Sequence, residues 1–230
     1  MKTLKLLYLS ALACFVGCAD LQDAMPGMSY SDRTLLEGIQ ACASYSMEKA
    51  VADLDGKKLG DKFWSSKADE LHDFESILTK LKREAELKEI RVLLNETIAT
   101  VLKQEAVSFN KQVGTLNVSE APEFLMESSN RAITDYYMGS LKVQGQVGDV
   151  ILKVMKENGA QEKFLKLKQL YNDIPYLEDE FDLALHSQLS SFLLAEITER
   201  MAHHEQELRR NPLLRKTKIL KKTFADYDPV

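Results

Sequence analysis

Residues 181–208 read FDLALHSQLSSFLLAEITERMAHHEQEL, and their hydrophobic pattern indicates the fold class of the chain. Its apolar side chains recur at steps of three and four residues, at Leu185, Leu189, Phe192, Leu193 and Ile197. Steps of this size place side chains along one face of an α-helix, whereas a half-buried strand would alternate every second residue. We therefore predict that residues 181–208 form the longest helix in the second half of the chain.

The same helical period recurs along most of the chain, and no convincing alternation at every second residue is present. Apolar faces at this spacing predict further helices around 35–54, 71–81, 87–109, 133–141, 147–155 and 164–171. No internal repeat can be aligned. The pattern therefore predicts a single all-α domain of about eight or nine helices over residues 31–230.

Glycine, proline and capping residues mark the expected helix boundaries. Asp55-Gly56 and Gly60 are expected to end the first helix. Two helix starts are expected where a capping residue precedes a proline, at Ser119 with Pro122 and at Asn211 with Pro212. The second of these should open a final helix that runs to Phe224.

The composition excludes several classes of protein. The 230 residues are 45% hydrophobic and 28% charged, with 10 Gly and 5 Pro. These proportions argue against a disordered tail, a collagen-like fibre and a polytopic membrane protein. The low Gly and Pro content also favours long helices over a β-sandwich, which needs many tight turns. Three Cys cannot form the disulfide framework of a small secreted domain.

The N-terminus has the features of an export signal. Lys2 and Lys5 precede an apolar run, and the small residue Gly17 stands directly before Cys18. This order predicts a signal peptide over residues 1–17, which is too short to span a bilayer of about 30 Å as a helix.

The four residues Phe15-Val16-Gly17-Cys18 resemble the lipobox of bacterial lipoproteins, in which the Cys is acylated on sulfur and becomes the mature N-terminus. The resemblance implies that Cys18 carries acyl chains such as palmitate and attaches the protein to a membrane through a tether over residues 18–30. Several acyl chains anchor more firmly than one, because each buried CH₂ contributes about 0.8 kcal/mol. The alternative is an ordinary secreted protein.

The residue after Cys18 bears on the compartment. In the sorting rule that this signal resembles, Asp at that place retains a lipoprotein at the inner membrane, and Ala19 stands there in this chain. The resemblance therefore implies the periplasmic face of the outer membrane in a diderm bacterium. Lipidation of Cys18 would leave Cys42 without a disulfide partner, and its helical spacing with Ile39 predicts a buried core residue.

Processing also changes the charge of the chain. Removal of residues 1–17 takes away two Lys and no acidic residue, so the net charge goes from −5 to −7. A net acidic protein lacks the basic footprint that a nucleic-acid backbone requires. We therefore expect no nucleic-acid partner.

One face of the late helix carries candidate metal ligands. Glu196, Glu199 and His203 fall at i, i+3 and i+7, and di-iron helical bundles use inward carboxylates with Glu-x-x-His pairs. This chain has no such pair, so we predict neither a metal site nor a cofactor. The alternative is a solvated face with ion pairs at i, i+4, formed by Glu196 with Arg200 and by Glu205 with Arg209.

The usual catalytic motifs are absent. The sequence contains no Gly-x-Ser-x-Gly, no Gly-x-x-x-x-Gly-Lys, no Cys-x-x-Cys and no His-Glu-x-x-His. We predict no catalytic residue from a motif.

The C-terminal segment is strongly basic. Seven Lys or Arg and no acidic residue lie between Arg209 and Lys222. A narrow apolar stripe accompanies them, at Leu213, Thr217, Leu220 and Phe224. Such a basic amphipathic helix can lie on an anionic membrane or receive an acidic partner. Alternatively, the stripe closes the core while the basic side chains stay in water. We favour the second interpretation.

The residues from Glu207 to Phe224 resemble the C-terminal signature of a bacterial family, domain of unknown function 4197 (DUF4197). The signature has Glu, Ile-Arg, Asn-Pro-x-x-Arg-x-Thr and a Leu-Lys-Lys-Val-Phe ending, and this chain has ELRRNPLLRKTKILKKTF. Residues 119–125 and 132–137, with Tyr171 and Pro175, resemble further family segments. The resemblance covers roughly residues 31–226 and implies an exported all-helical domain. It implies no activity and no ligand.

The resemblance also nominates positions for a binding site. These are Asn95, Thr134, Asp135, Tyr136, Arg210, Asn211, Pro212, Arg215 and Thr217. Asn95 is the one residue shared with the family's Asn-Arg-Ala-Ala-Glu segment, so a site built on that segment would be incomplete here.

Three functional hypotheses follow. We favour a lipid-anchored periplasmic protein that binds another envelope protein or an apolar ligand held between helices. The second is an envelope enzyme of the hydrolase kind, with a site assembled from Asn95, Asp135, Tyr136 and His186. The third is a membrane-docking role for the basic C-terminal segment.

Overall fold

The computed structural model describes residues 30–114, 126, 129–140, 143–175, 177 and 180–225. The predicted signal peptide, Cys18 and the helix start expected at Ser119 and Pro122 lie outside this part of the chain. None of the helices in the described part is both long enough and apolar enough to span a membrane.

Nine α-helices make up the regular structure of the described residues, which contain no strand. They are α1 (Tyr30–Asp53), α2 (Gly56–Ser66), α3 (Ala68–Lys80), α4 (Glu84–Val113), α5 (Ala132–Ser140), α6 (Val143–Glu157), α7 (Ala160–Asn172), α8 (Leu185–Arg210) and α9 (Lys218–Phe224). A 3₁₀ turn over Pro212–Leu214 connects the last two. The prediction of a single all-α domain with eight or nine helices is confirmed.

Helices α8 and α4 organise the core. Helix α8 packs on α1, α5 and α6, and α4 packs on α1, α2, α6 and α7. Of the apolar face predicted for α8, Phe192 is half-buried and the other side chains are buried, at Leu185, Leu189, Leu193 and Ile197. Met201 and Leu208 continue the buried face toward the end of the helix. Burying a side chain of this size contributes about 1.5–3 kcal/mol, so the two helices supply much of the driving force for folding. Cys42 is also fully buried, as predicted.

Helix α8 begins at Leu185 rather than at Phe181. The Asn172 side chain accepts a hydrogen bond from the Phe181 backbone N–H (2.9 Å) and donates one to its carbonyl (3.2 Å). The Phe181 ring stacks on Phe74, with ring centroids 4.1 Å apart. These tertiary contacts hold residue 181 outside the helix, although its spacing fits the helical period.

The first helix ends at Asp53, next to the Asp55-Gly56 boundary that the sequence predicts, but the sequence does not predict α2, which begins at Gly56. Asp55 caps this second helix, since its carboxylate accepts a hydrogen bond from the backbone N–H of Lys57 (3.0 Å). Gly60 lies inside α2, where a Cβ would stand 1.7 Å from Oδ1 of Asn95. This glycine therefore permits the close approach of α2 to α4.

The predicted continuous helix from Asn211 to Phe224 is wrong. The chain forms the 3₁₀ turn, passes through an irregular segment at Arg215–Thr217 and then begins α9. The Thr217 hydroxyl caps α9 by accepting a hydrogen bond from the Leu220 N–H (3.3 Å). Leu220 and Phe224 of the expected stripe are buried and help close the core. Leu213, which was also expected on the stripe, is 82% exposed and does not contribute to the core.

Candidate functional site

The centre of the candidate site is Glu205, a fully buried carboxylate on α8. It accepts hydrogen bonds from the backbone N–H groups of Ile133 (3.1 Å) and Thr134 (2.7 Å). These two residues lie in the first turn of α5, whose N–H groups have no partner within the helix. A carboxylate at this end also complements the helix dipole. Glu205 therefore caps α5 from another helix.

Arg209 balances the buried charge of Glu205. Its Nε and Nη2 atoms donate to Oε1 of Glu205 at 3.0 and 2.8 Å, and its Nη1 atom donates to the Met126 carbonyl at 2.9 Å. The sequence placed this i, i+4 pair on a solvated face, and that interpretation is wrong. Spacing along a helix shows that two charges can meet, but it does not show on which side of the helix they lie.

Arg215 closes the ends of two helices. Its guanidinium donates to the carbonyls of Leu208 (3.0 Å), Arg209 (2.8 Å) and Phe224 (3.1 Å). The first two carbonyls belong to the last turn of α8 and the third to the last residue of α9, where carbonyls lack partners within the helix. The guanidinium also lies 5.5 Å from the centroid of the Phe224 ring. Arg215 thus fixes the C-terminal turn to the core.

The remaining C-terminal motif positions shape the same turn. Asn211 accepts a hydrogen bond from the Leu213 N–H (3.0 Å), and Pro212 is the first residue of the 3₁₀ turn. Thr217 caps α9, as described above. Arg210 is exposed. Most of these motif positions therefore serve local structure.

Glu205 and Arg209 belong to a larger group that we call the buried polar cluster, formed by Cys42, Thr134, Tyr137, Glu205 and Arg209 where α1, α5 and α8 meet. Burial and the nearby charge of Glu205 raise the pKa of the Cys42 thiol. Burial likewise raises the pKa of Tyr137. Both groups are therefore protonated at neutral pH, and a buried neutral thiol is a poor nucleophile.

Two hydroxyl groups of the buried polar cluster have no hydrogen-bond partner within the described part of the chain. They are Oγ1 of Thr134 and the Tyr137 hydroxyl. Buried polar atoms of this kind are commonly satisfied by ordered water. The cluster is therefore a polar centre inside an otherwise apolar core.

The four residues of the hydrolase hypothesis engage different partners. Asn95 packs against Gly60 of α2, and Asp135 forms an ion pair with Arg131 (3.0 Å). Tyr136 packs edge-on against Tyr137, with ring centroids 5.6 Å apart. His186 lines a separate groove of about 180 Å³ between α6 and α8, together with Asp149 and Ser190. No hydrogen bond joins any two of the four within the described residues.

The proposed metal face also has other partners. Glu196 forms an ion pair with Lys62 instead of the expected Arg200, and Glu199 forms one with Arg131 (3.1 Å). The Nε2 atom of His203 lies 3.7 Å from Oε2 of Glu207. Among the residues that the structure describes, no three His, Cys, Asp or Glu side chains are grouped to hold a metal ion.

His204 links the end of α1 to α8. Its Nε2 atom lies 2.7 Å from Oδ2 of Asp53, and its Nδ1 atom lies 3.1 Å from Oε2 of Glu207. Both ring nitrogens of His204 therefore face carboxylate oxygens, which only accept hydrogen bonds.

A surface groove of about 410 Å³ lies between the start of α4 and α7. Its apolar floor includes Leu167 and Leu170, and its charged rim includes Arg83, Glu86, Lys163 and Lys166. Each rim lysine already has an acidic neighbour, since Lys163 pairs with Glu89 (3.1 Å) and Lys166 with Glu162 (2.6 Å). The groove is open to solvent and combines apolar contact area with fixed charges.

The sequence did not nominate Glu205 and Arg209 as site residues, although a signal was present. Glu205 continues the i+4 series of Leu193, Ile197 and Met201 on the apolar face of α8. A lone carboxylate in an apolar register indicates a buried charge that needs partners. The structure supplies these from α5 and from the next turn of α8.

The described residues form an all-helical domain in which Arg215 holds the C-terminal turn against the core. The segments at residues 132–137 and 207–224 meet at Glu205, which bonds to Thr134 of the first and to Arg209 of the second. A family model described as protein of unknown function (DUF4197) matches residues 29–225, and the chain belongs to this family. Neither the curated proteins nor the solved structures contain a match to the chain.

Proposed function

We propose that this protein is a lipid-anchored component of the bacterial cell envelope, on the periplasmic side of the outer membrane, and that it acts by binding rather than by catalysis. The lipobox-like sequence that ends at Cys18 supports the anchor. The motif residues Asn211, Arg215 and Thr217 form hydrogen bonds that shape the C-terminal turn, so they serve structure rather than catalysis.

The groove between α4 and α7 is the surface that best suits a binding role. Its leucine floor offers apolar contact area, and its charged rim offers fixed hydrogen-bond donors and acceptors. A solvent-open groove of this kind suits a segment of another envelope protein better than an apolar molecule enclosed between helices. We therefore favour a protein partner over an apolar ligand.

The anchor is tested by growing cells with labelled palmitate and following the label and the protein through membrane fractionation. Cys18→Ser should abolish labelling and release the protein from the membrane fraction. Cys14→Ser is the matched control, because it removes a Cys from the predicted signal peptide without touching the acylated position. Equal labelling of wild type and Cys18→Ser would contradict the anchor.

The groove is tested by purifying the protein from detergent extracts and identifying bound components by mass spectrometry. Lys163→Glu with Lys166→Glu should lose a component that wild type retains. The matched control is Lys153→Glu with Lys156→Glu, two exposed positions on α6. Identical components on all three proteins would show that the groove does not bind a partner.

A further inference from the structure

The C-terminal segment presents a row of exposed basic residues. We call it the basic end surface, and its exposed residues are Arg210, Leu213, Lys216, Lys218, Lys221 and Lys222. The sequence from Arg209 to Lys222 contains no acidic residue, although the whole chain has a net charge of −5. Asp226 and Asp228 follow in the sequence and lie outside the described residues. Positive charge is therefore concentrated in this segment of an acidic protein.

Leu213 gives the basic end surface an apolar tip. It is the middle residue of the 3₁₀ turn, and it is 82% exposed. In the described part of the chain, the other exposed large apolar residues are Leu81, Val92, Val107 and Leu165, at 43 to 57%. A leucine projecting among lysines is the arrangement that suits insertion between the head groups of an anionic lipid layer.

The basic end surface lies beside the start of α1. The Thr223 hydroxyl of α9 lies 3.5 Å from the Thr34 carbonyl. Gly38 allows this contact, because a Cβ at Gly38 would stand 1.8 Å from the same hydroxyl. Helix α9 therefore packs against the first turns of α1, where the chain arrives from its N-terminus.

This position matters because Cys18 lies only 12 residues before Tyr30, the first residue of α1. A flexible tether of that length has an end-to-end distance of about 20 Å. A membrane that holds Cys18 is therefore within reach of the basic end surface. The opposite end of α1 is about 36 Å away, since the helix has 24 residues that each rise 1.5 Å.

We infer that the basic end surface rests on the anionic lipid head groups of the membrane that holds the acyl anchor. The inference depends on the proposed anchor, which determines the membrane concerned. Each Lys or Arg near an anionic surface strengthens binding about fivefold at low salt. The anchor would then confine the protein to the membrane, and the basic end surface would orient it, with the rest of the domain directed away from the lipid.

The test uses the mature chain carrying Cys18→Ser, so that no acyl chain contributes to binding. Its partition is measured by flotation with vesicles of phosphatidylcholine alone and of phosphatidylcholine mixed with phosphatidylglycerol, at low and high salt. We expect binding to the phosphatidylglycerol vesicles only, weakened by salt. Combined Lys216→Glu, Lys218→Glu and Lys221→Glu should reduce this binding by about 100-fold or more.

The matched control reverses three other exposed lysines, Lys57→Glu, Lys58→Glu and Lys103→Glu. It changes the net charge equally and should reduce binding much less. For the apolar tip, Leu213→Ser should weaken binding, whereas Leu165→Ser should leave it unchanged.

The inference is overturned if the wild-type surface shows no preference for phosphatidylglycerol, or if the control lysines reduce binding as much as the C-terminal ones. Palmitate labelling of Cys18 in the otherwise wild-type chain is measured separately. Failure of the basic end surface can therefore be distinguished from failure of the anchor.

Discussion

Glu205 of α8 accepts a hydrogen bond of 2.7 Å from the backbone N–H of Thr134, the third residue of α5. The two residues are 71 positions apart in the sequence. Because Arg209 pairs with the same carboxylate and also donates to the Met126 carbonyl, one turn of α8 holds the start of α5 and the backbone before it. The family segments at residues 132–137 and 207–224 therefore meet at the Glu205–Arg209 pair.

The first prediction concerns the charge of Glu205. Glu205→Gln keeps the shape of the side chain but leaves the Arg209 charge buried without its partner. Breaking a buried pair in this way costs about 3–5 kcal/mol, a large part of the stability of a domain. Urea unfolding followed by circular dichroism measures the loss.

A double variant serves as the control for this prediction. Glu205→Leu with Arg209→Met removes both charges together, so it should be more stable than Glu205→Gln. If Glu205→Gln unfolds at the same urea concentration as wild type, the Glu205–Arg209 pair makes no contribution to stability.

The second prediction concerns the three carbonyl contacts of Arg215. Arg215→Lys keeps the positive charge but loses the planar fork that reaches Leu208, Arg209 and Phe224 together. We expect a loss of about 2–4 kcal/mol and faster hydrogen exchange in α9. Arg210→Lys, at an exposed position next to the same turn, should change stability by less than about 0.5 kcal/mol. Equal hydrogen-exchange rates of the α9 amides in both variants would show that Arg215 does not hold α9 in place.

The third prediction concerns the close approach at Gly60. Gly60→Ala places a methyl group 1.7 Å from Oδ1 of Asn95 and should destabilise the packing of α2 on α4. Adding Asn95→Ala should recover much of the loss. Gly139→Ala, where no described neighbour outside the local helix lies within 4 Å of the new methyl group, should be neutral or stabilising by up to about 1 kcal/mol. Thermal unfolding of the three variants distinguishes packing from helix propensity.

The fourth prediction concerns pH. Burial raises the pKa of Glu105, a carboxyl group on α4 that is 4% exposed. The folded protein therefore binds this proton more tightly than the unfolded chain, so stability falls as the pH rises from the unfolded pKa to the folded pKa. Glu105→Gln removes this cost and should be more stable than wild type at pH 7. The gain should disappear by roughly pH 3, below the ordinary Glu pKa. A constant difference at both pH values would show that the substitution acts through packing instead.

Much of the helical framework follows from the sequence, because it depends on apolar spacing. Leu185, Leu189, Leu193 and Ile197 are buried on the predicted face of α8, and the buried position of Cys42 follows from its spacing in α1. Family membership was likewise readable from residues 207–224, where the motif is dense. Local patterns of this kind are visible without knowledge of which helices meet.

The errors arise where long-range contacts override local pattern. Phe181 fits the period of α8 but is held outside it by Asn172 and Phe74. Asp55 and Gly56 end one helix and begin another, which spacing alone does not distinguish. The buried position of Glu205 and Arg209 depends on the backbone of α5, which is remote in sequence. The candidate site was therefore the part of the molecule least accessible to sequence reasoning.

We propose that an acyl anchor at Cys18 holds this domain in the cell envelope. The most direct test is the intact mass of the mature protein purified from the membrane fraction. We predict a chain that begins at Cys18 and carries the added mass of several acyl chains on that residue. A mature chain of unmodified mass, or one that begins elsewhere and fractionates with soluble proteins, would contradict the claim.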